Sequence, residues 1–158
     1  MTFLTLPPQD RSPQWIAQLT AVWEASVRAT HHFLREQDLL RIRTQMKIAY
    51  LPSVTLYGIE QDGELAAFMG IGIKKLEMLF VHPRWRGHGL GKRLVRCAVE
   101  RFGAVLVDVN EQNTHAAEFY RRMGFREMSR DEADGHGRPY PILRMRWQES
   151  GGAKPSGF

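Results

Sequence analysis

The chain has 158 residues, with 22 Lys and Arg against 17 Asp and Glu and a formal net charge of +5. That length predicts one domain with a sizeable core and a cleft, and the excess charge points to an anionic partner, whether nucleic acid, membrane or cofactor. Cys97 is the only cysteine, which excludes an internal disulfide framework and a Cys-rich zinc site.

The start of the chain, Met1 to Pro8, lacks the charged and long apolar regions of a secretory signal, so the expected location is the cytoplasm. The longest apolar stretch, Leu65 to Ile73, holds two glycines and falls far short of the roughly 20 residues that cross a bilayer.

Taken in order, Ser12-Pro13 reads as a helix start, with Ile16, Leu19, Trp23 and Val27 at helical spacing. A second helical pattern through Leu39, Ile42, Met46 and Ala49 must stop near Pro52. Val54 to Ile59 is β-branched and aromatic, Asp62-Gly63 is a two-residue hairpin signal, and Leu65 to Ile73 returns as a strand. Lys74-Lys75 reads as the next turn and Leu76 to Val81 as a third antiparallel strand. After a glycine-rich turn, Leu90, Leu94, Ala98 and Phe102 mark a helix, with Cys97 bordering its apolar stripe as a small core residue. Val105 to Val109 is a buried strand, Asn113 caps a helix that ends at Gly124, and Phe125 to Trp147 reads as two strands around a turn at Asp134-Gly135-His136-Gly137. The order is αα, βββ, α, β, α, ββ, a mixed α/β (α+β) domain over 1–149, with 150–158 expected to be a flexible tail.

The chemistry concentrates in Leu76 to Lys92. An apolar strand feeds a loop with glycines at 87, 89 and 91 that opens directly into a helix, flanked by Arg86 and Lys92. Unpaired N–H groups and the helix dipole favour an anion there. A nucleotide-triphosphate loop needs Ser or Thr after Gly-Lys, and Arg93 stands there; a dinucleotide fold needs Gly-x-Gly-x-x-Gly in a parallel βαβ unit, and the spacing here is Gly-x-Gly-x-Gly after an antiparallel meander. The residues therefore predict a pyrophosphate cradle of another kind.

Arg86-Gly87-His88-Gly89-Leu90-Gly91 fits the pattern Arg/Gln-x-x-Gly-x-Gly/Ala, and here the chain resembles the GNAT (Gcn5-related) N-acetyltransferases. A second motif, Asn113-x-x-Ala116-x-x-Phe119-Tyr120-x-x-x-Gly124-Phe125, resembles the same family's closing pattern. Trp23 to Leu34, Val109 to Asn113 and Gly137 to Leu143 look like its YjaB-like branch, whose members are described as acetylating amines, protein lysines included.

The resemblance implies a mostly antiparallel mixed sheet, flanked by helices and splayed at an acetyl-CoA site between the strand ending at Val81 and the strand at Val105 to Val109. Its cofactor residues would be Leu79, Phe80, Val81, Arg86, Gly87, His88, Gly89, Leu90, Gly91, Lys92, Asn113 and Tyr120. The pantetheine would pair with the backbone of Leu79 and Val81, and the pyrophosphate would take the N–H groups of Arg86 through Lys92. The implied reaction is acetyl transfer to a primary amine by direct attack in a ternary complex. Tyr120 matches the family's general acid for the CoA sulfur.

Glu77 shares strand parity with Leu79 and Val81 and could take the ammonium proton directly or through water. His31, after the first helix, is a second candidate base, while His136 and Tyr140 could close the acceptor pocket. The acceptor could be a protein lysine or a small amine such as an aminoglycoside or polyamine, and a non-catalytic acetyl-CoA-binding domain is the other alternative. The six histidines form no ligand pairs with a carboxylate, so no metal is expected. Residues 84–101 hold six cations and one anion, leaving sixteen of each elsewhere. This places the excess charge at the cofactor loop, so neither nucleic acid nor membrane is expected as a partner, and the assembly is expected to be a monomer or homodimer.

Overall fold

In the computed structural model, which describes residues 2–7 and 11–149, Ser12 opens the first helix, α1 (Pro13–Thr30), by accepting the Trp15 N–H at 3.2 Å. The expected tail at 150–158 lies outside the described residues. The chain divides into two compact units, Met1–Ala104 and Val105–Phe158.

In the first unit α1 buries Leu19, Val22, Trp23 and Val27. A second helix, α2 (Glu36–Gln45), carries buried Asp38 in its first turn, 3.0 Å from the Arg35 guanidinium. Four antiparallel strands follow in spatial order β1 (Thr2–Leu6), β2 (Thr55–Gln61), β3 (Glu64–Ile71) and β4 (Lys75–Val81). The β2–β3 turn has both Asp62 (φ 53°) and Gly63 (φ 78°) left-handed, which matches the right-handed twist of the flanking strands. Helix α3 (Leu90–Phe102) packs on β3 and β4 through Leu90, Leu94, Val95 and Ala98 and stops at left-handed Gly103. The core joins α1, α2 and the sheet through Leu19, Trp23, Leu39, Leu51, Leu56 and Phe68. Truncating Phe68 or Trp23 to Ala would cost about 3–5 kcal/mol by lost burial and residual cavity.

Three features depart from the sequence reading. Strand β1 was not expected; it pairs Phe3 with Ile59 and Leu6 with Leu56. The second helical pattern is not one helix: α2 gives way to a π-turn at Met46–Tyr50 and a 3-10 turn at Leu51–Ser53. The wider turn shifts the buried face, leaving Met46 and Leu51 inside and Ala49 exposed. The Arg11 guanidinium ties this segment to β1 by donating to the carbonyls of Leu6, Leu51 and Val54. Finally, β3 ends at Ile71, and the turn falls on Gly72, Ile73 and left-handed Lys74 (φ 56°), with Lys75 already in β4.

In the second unit β7 (Ile142–Trp147) lies between β5 (Leu106–Asn110) and β6 (Phe125–Asp131), antiparallel to both. Helix α4 (Thr114–Met123) packs on β5 and β6. Asn113 caps it by accepting the Ala116 N–H at 3.2 Å, and Gly124 (φ 109°) ends it. A Cβ on Gly124 would lie 2.9 Å from Trp147 Nε1, so both backbone and space require glycine there. The turn before β7 is held by Asp134, whose Oδ1 accepts the N–H groups of His136 and Arg138 at 2.9 Å. Each unit is thus an antiparallel sheet flanked by helix, and the chain is mixed α/β.

Candidate functional site

At the end of β4, Leu79, Phe80 and Val81 are half-buried. Phe80 packs its ring 5.6 Å from Phe68 and joins the core. Strand alternation turns Leu79 and Val81 to the other face. The Phe80 backbone stands opposite Phe68 in the β3 ladder, in register with the His82 N–H that bonds the Ala66 carbonyl at 2.8 Å. Neither its side chain nor its backbone is therefore left for a ligand, which corrects the contact expected there.

The chain then makes a 3-10 turn, Pro83–Trp85, capped by His82 Nδ1, which accepts the Arg84 N–H at 3.1 Å. The Arg86 N–H closes this turn on the Pro83 carbonyl at 3.3 Å. That corrects the expected anion contact: the Arg86 amide is already used, and only its guanidinium is available. Gly87 (φ 78°) and Gly89 (φ 74°) are left-handed, and a Cβ at either would meet nothing within 4 Å. They are needed for backbone conformation rather than for space.

Gly89 is the N-cap of α3 and offers no side-chain acceptor. The first helical bond runs from the Arg93 N–H to the Gly89 carbonyl at 3.0 Å, so the amides of Leu90, Gly91 and Lys92 have no partner in the helix. Ser12 and Asn113 supply such an acceptor for α1 and α4. Arg86 and Lys92 are both exposed beside this N-terminus.

His31 ends α1, its N–H bonded to the Val27 carbonyl at 2.7 Å. Burial, then the Arg86 and His32 charges, push its imidazole from the ordinary 6.5 down to about 4. It is therefore neutral near pH 7 but weakly basic. Thr30 Oγ1 donates to the Ser26 carbonyl at 2.8 Å and lies 2.8 Å from His31 Nδ1. With its proton given to Ser26, the hydroxyl accepts from His31, which puts the ring proton on Nδ1. The sequence pattern from Trp23 to Leu34 includes Thr30 but gives it no role; a threonine next to a histidine at a helix end was the available signal. Glu77 is exposed, its Oε1 3.3 Å from Lys75 Nζ, and its side chain runs beside Gly72.

In the second unit, Tyr120 is buried, with its ring edge-on to Phe119 at 5.2 Å and to Phe125 at 5.5 Å. Burial pushes its phenol well above the ordinary 10, so the hydroxyl stays protonated at any physiological pH. Asn113 is first of all the α4 cap. Tyr140 is buried and His136 exposed. Among the described residues no group of three His, Cys, Asp or Glu could hold a metal, and no helix is long and apolar enough to cross a membrane.

The acetyltransferase (GNAT) domain family matches residues 52–127. The peptidyl-lysine N-acetyltransferase YjaB of Salmonella typhimurium is 36% identical over 129 residues, 81% of this chain and 88% of that protein. The chain belongs to the GNAT N-acetyltransferases. The solution structure of apo YjaB from Escherichia coli superposes with a TM-score of 0.79 at 28% identity, covering 95% of this chain and all of that one. These likenesses put the chain in the YjaB-like branch. The PaiA N-acetyltransferase of Thermoplasma acidophilum, solved in complex with coenzyme A, shares the fold, with a TM-score of 0.66 at 20% identity over 93% of this chain and all of that one.

Proposed function

We propose that the chain transfers the acetyl group of acetyl-CoA to the Nζ of a protein lysine, by direct attack of the neutral amine in a ternary complex. The observation that carries this reading is the α3 N-terminus, where the Leu90, Gly91 and Lys92 amides stand without helix partners behind two left-handed glycines and beside Arg86. Unpaired amides, a helix dipole and flanking cations suit a pyrophosphate. The lysine acceptor is taken from the name of the 36% identical relative, and the cofactor agrees with the CoA complex of the PaiA structure.

In this reading the N–H groups of Gly87 to Lys92 and the Arg86 guanidinium hold the pyrophosphate. The Leu79 and Val81 backbone takes the pantetheine arm, and Asn113 and Tyr120 are further cofactor contacts. When bound, acetyl-CoA supplies an acetyl group activated as a thioester. Tyr120, kept protonated by burial, donates its proton to the departing sulfur. Glu77, exposed to water, accepts the ammonium proton through that water before attack. His31, weakly basic, serves the acceptor as a neutral imidazole rather than as the base. The cytoplasm is the assigned compartment, and monomer or homodimer the assigned assembly.

The test is CoA thiol release with a lysine peptide, a polyamine and an aminoglycoside offered in parallel. Release with the peptide above the acceptor-free rate supports the reading. Release with a small amine alone moves the acceptor to that class. No release with any amine, while acetyl-CoA still binds, leaves a binding domain without transfer.

A further inference from the structure

His88, in the loop between β4 and α3, falls on one of the unspecified positions of the pattern Arg86-x-x-Gly89-x-Gly91. His88 stands between left-handed Gly87 and Gly89, and its Nδ1 lies 3.0 Å from the Trp85 carbonyl oxygen and 2.9 Å from that of Arg86. Both neighbours are acceptors only, so Nδ1 carries the proton and donates to both. The ring also stands edge-on to Trp85 at 5.7 Å. Trp85 is itself overlaid by the Arg84 guanidinium at 5.6 Å, which pairs with Glu64 at 3.1 Å.

We propose that His88 is a positioning residue for the cofactor: by gathering the Trp85 and Arg86 carbonyls it locks the glycine loop in its anion-accepting form. The physical reason lies in the peptide unit. In a trans peptide the C=O and the following N–H point in opposite directions, and every described peptide is trans. Holding the Arg86 carbonyl at the ring therefore turns the Gly87 N–H away from it. Without that tie, two glycines leave the segment free to sample many conformations, and binding would have to order them. His88 touches no reacting atom in this account; it acts through the backbone.

This inference rests on reading the loop as the acetyl-CoA site, and its test separates the two. CoA binding is measured by calorimetry, and KM and kcat by thiol release, on the full chain and on His88→Leu, His88→Asn and Gly89→Ala. An asparagine amide nitrogen occupies nearly the position of Nδ1, so His88→Asn keeps the donor and His88→Leu removes it. Loss of this tie, worth the net contribution of roughly one hydrogen bond, raises the CoA dissociation constant and the acetyl-CoA KM about 5- to 10-fold in His88→Leu. The value of kcat stays within about twofold, and His88→Asn returns KM to near the unaltered value.

Melting curves confirm that each variant is folded. If folded His88→Leu binds CoA as tightly as the unaltered chain, or His88→Asn binds as poorly as His88→Leu, the inference is overturned. Gly89→Ala, strained at φ 74°, reports on the loop itself. If it binds CoA normally, or if the unaltered chain binds none, the reading of the loop as the cofactor site is overturned as well.

Discussion

Replacing His31 with Asn isolates the electrostatic consequence of burying an imidazole beside Arg86. The folded chain holds His31 near 4 against an ordinary 6.5, so on acidification the unfolded chain takes up a proton that the folded chain refuses. The sign follows: stability is complete above pH 6.5, is lost as pH falls from 6.5 towards 4, and changes no further below that. Between pH 7.5 and pH 5 the loss comes to at most about 2 kcal/mol, at a ring that is half-buried.

Other groups titrate in a different window. Glu24, Glu36 and Glu111 are held below their ordinary 4.5, chiefly by hydrogen bonds from Arg28, Arg28 and Arg130 respectively. Their stabilisation is present above pH 4.5 and lost as pH falls below it. They are also common to both proteins and cancel in a comparison. Urea unfolding of the unaltered chain and of His31→Asn at pH 7.5 and pH 5 reads the difference. The free-energy gap should move by up to about 2 kcal/mol in favour of the variant on acidification. A gap that stays constant between the two pH values refutes a neutral, buried His31.

Tyr120→Phe keeps the ring contacts with Phe119 and Phe125 and should melt within a few degrees of the unaltered chain, while kcat falls about 100-fold or more; full kcat at every pH removes Tyr120 as the acid. Glu77→Gln should lower kcat about 10-fold or more below the acceptor's own pKa with the acetyl-CoA KM unchanged, and an unaltered pH profile of kcat shows that the proton leaves by another route. Gly124→Ala must place a Cβ 2.9 Å from Trp147 Nε1 at φ 109° and should cost about 2 kcal/mol or more in urea unfolding; an unchanged midpoint contradicts the contact.

Where the signal is local, sequence and structure agree. Ser12-Pro13 and Asp62-Gly63 each act through their own backbone or a neighbour within three residues, and Gly124 ends α4 through its own φ even though Trp147 also crowds it, so each starts or ends its element as expected. The loop glycines belong to the same class, since Gly87 and Gly89 need only their own φ. What escaped depends on distant partners. Strand β1 exists because β2 offers it an edge some fifty residues or more along the chain. The π-turn at Met46–Tyr50 keeps helical spacing by eye but turns Ala49 outward. The low basicity of His31 comes from burial and from Arg86, and the commitment of Phe80 to the core comes from Phe68. None of these is visible from spacing alone, because each is set by what the fold brings alongside.

The central claim is that the N-terminus of α3 receives the phosphates of acetyl-CoA. Amide NMR shifts of the isotope-labelled full chain, followed as CoA is added, test it most directly. The account predicts that Gly87, Leu90, Gly91 and Lys92 shift strongly and saturate together, while the Arg86 amide, already bonded to Pro83, moves little. Saturating shifts confined to residues outside 87–92 would contradict it.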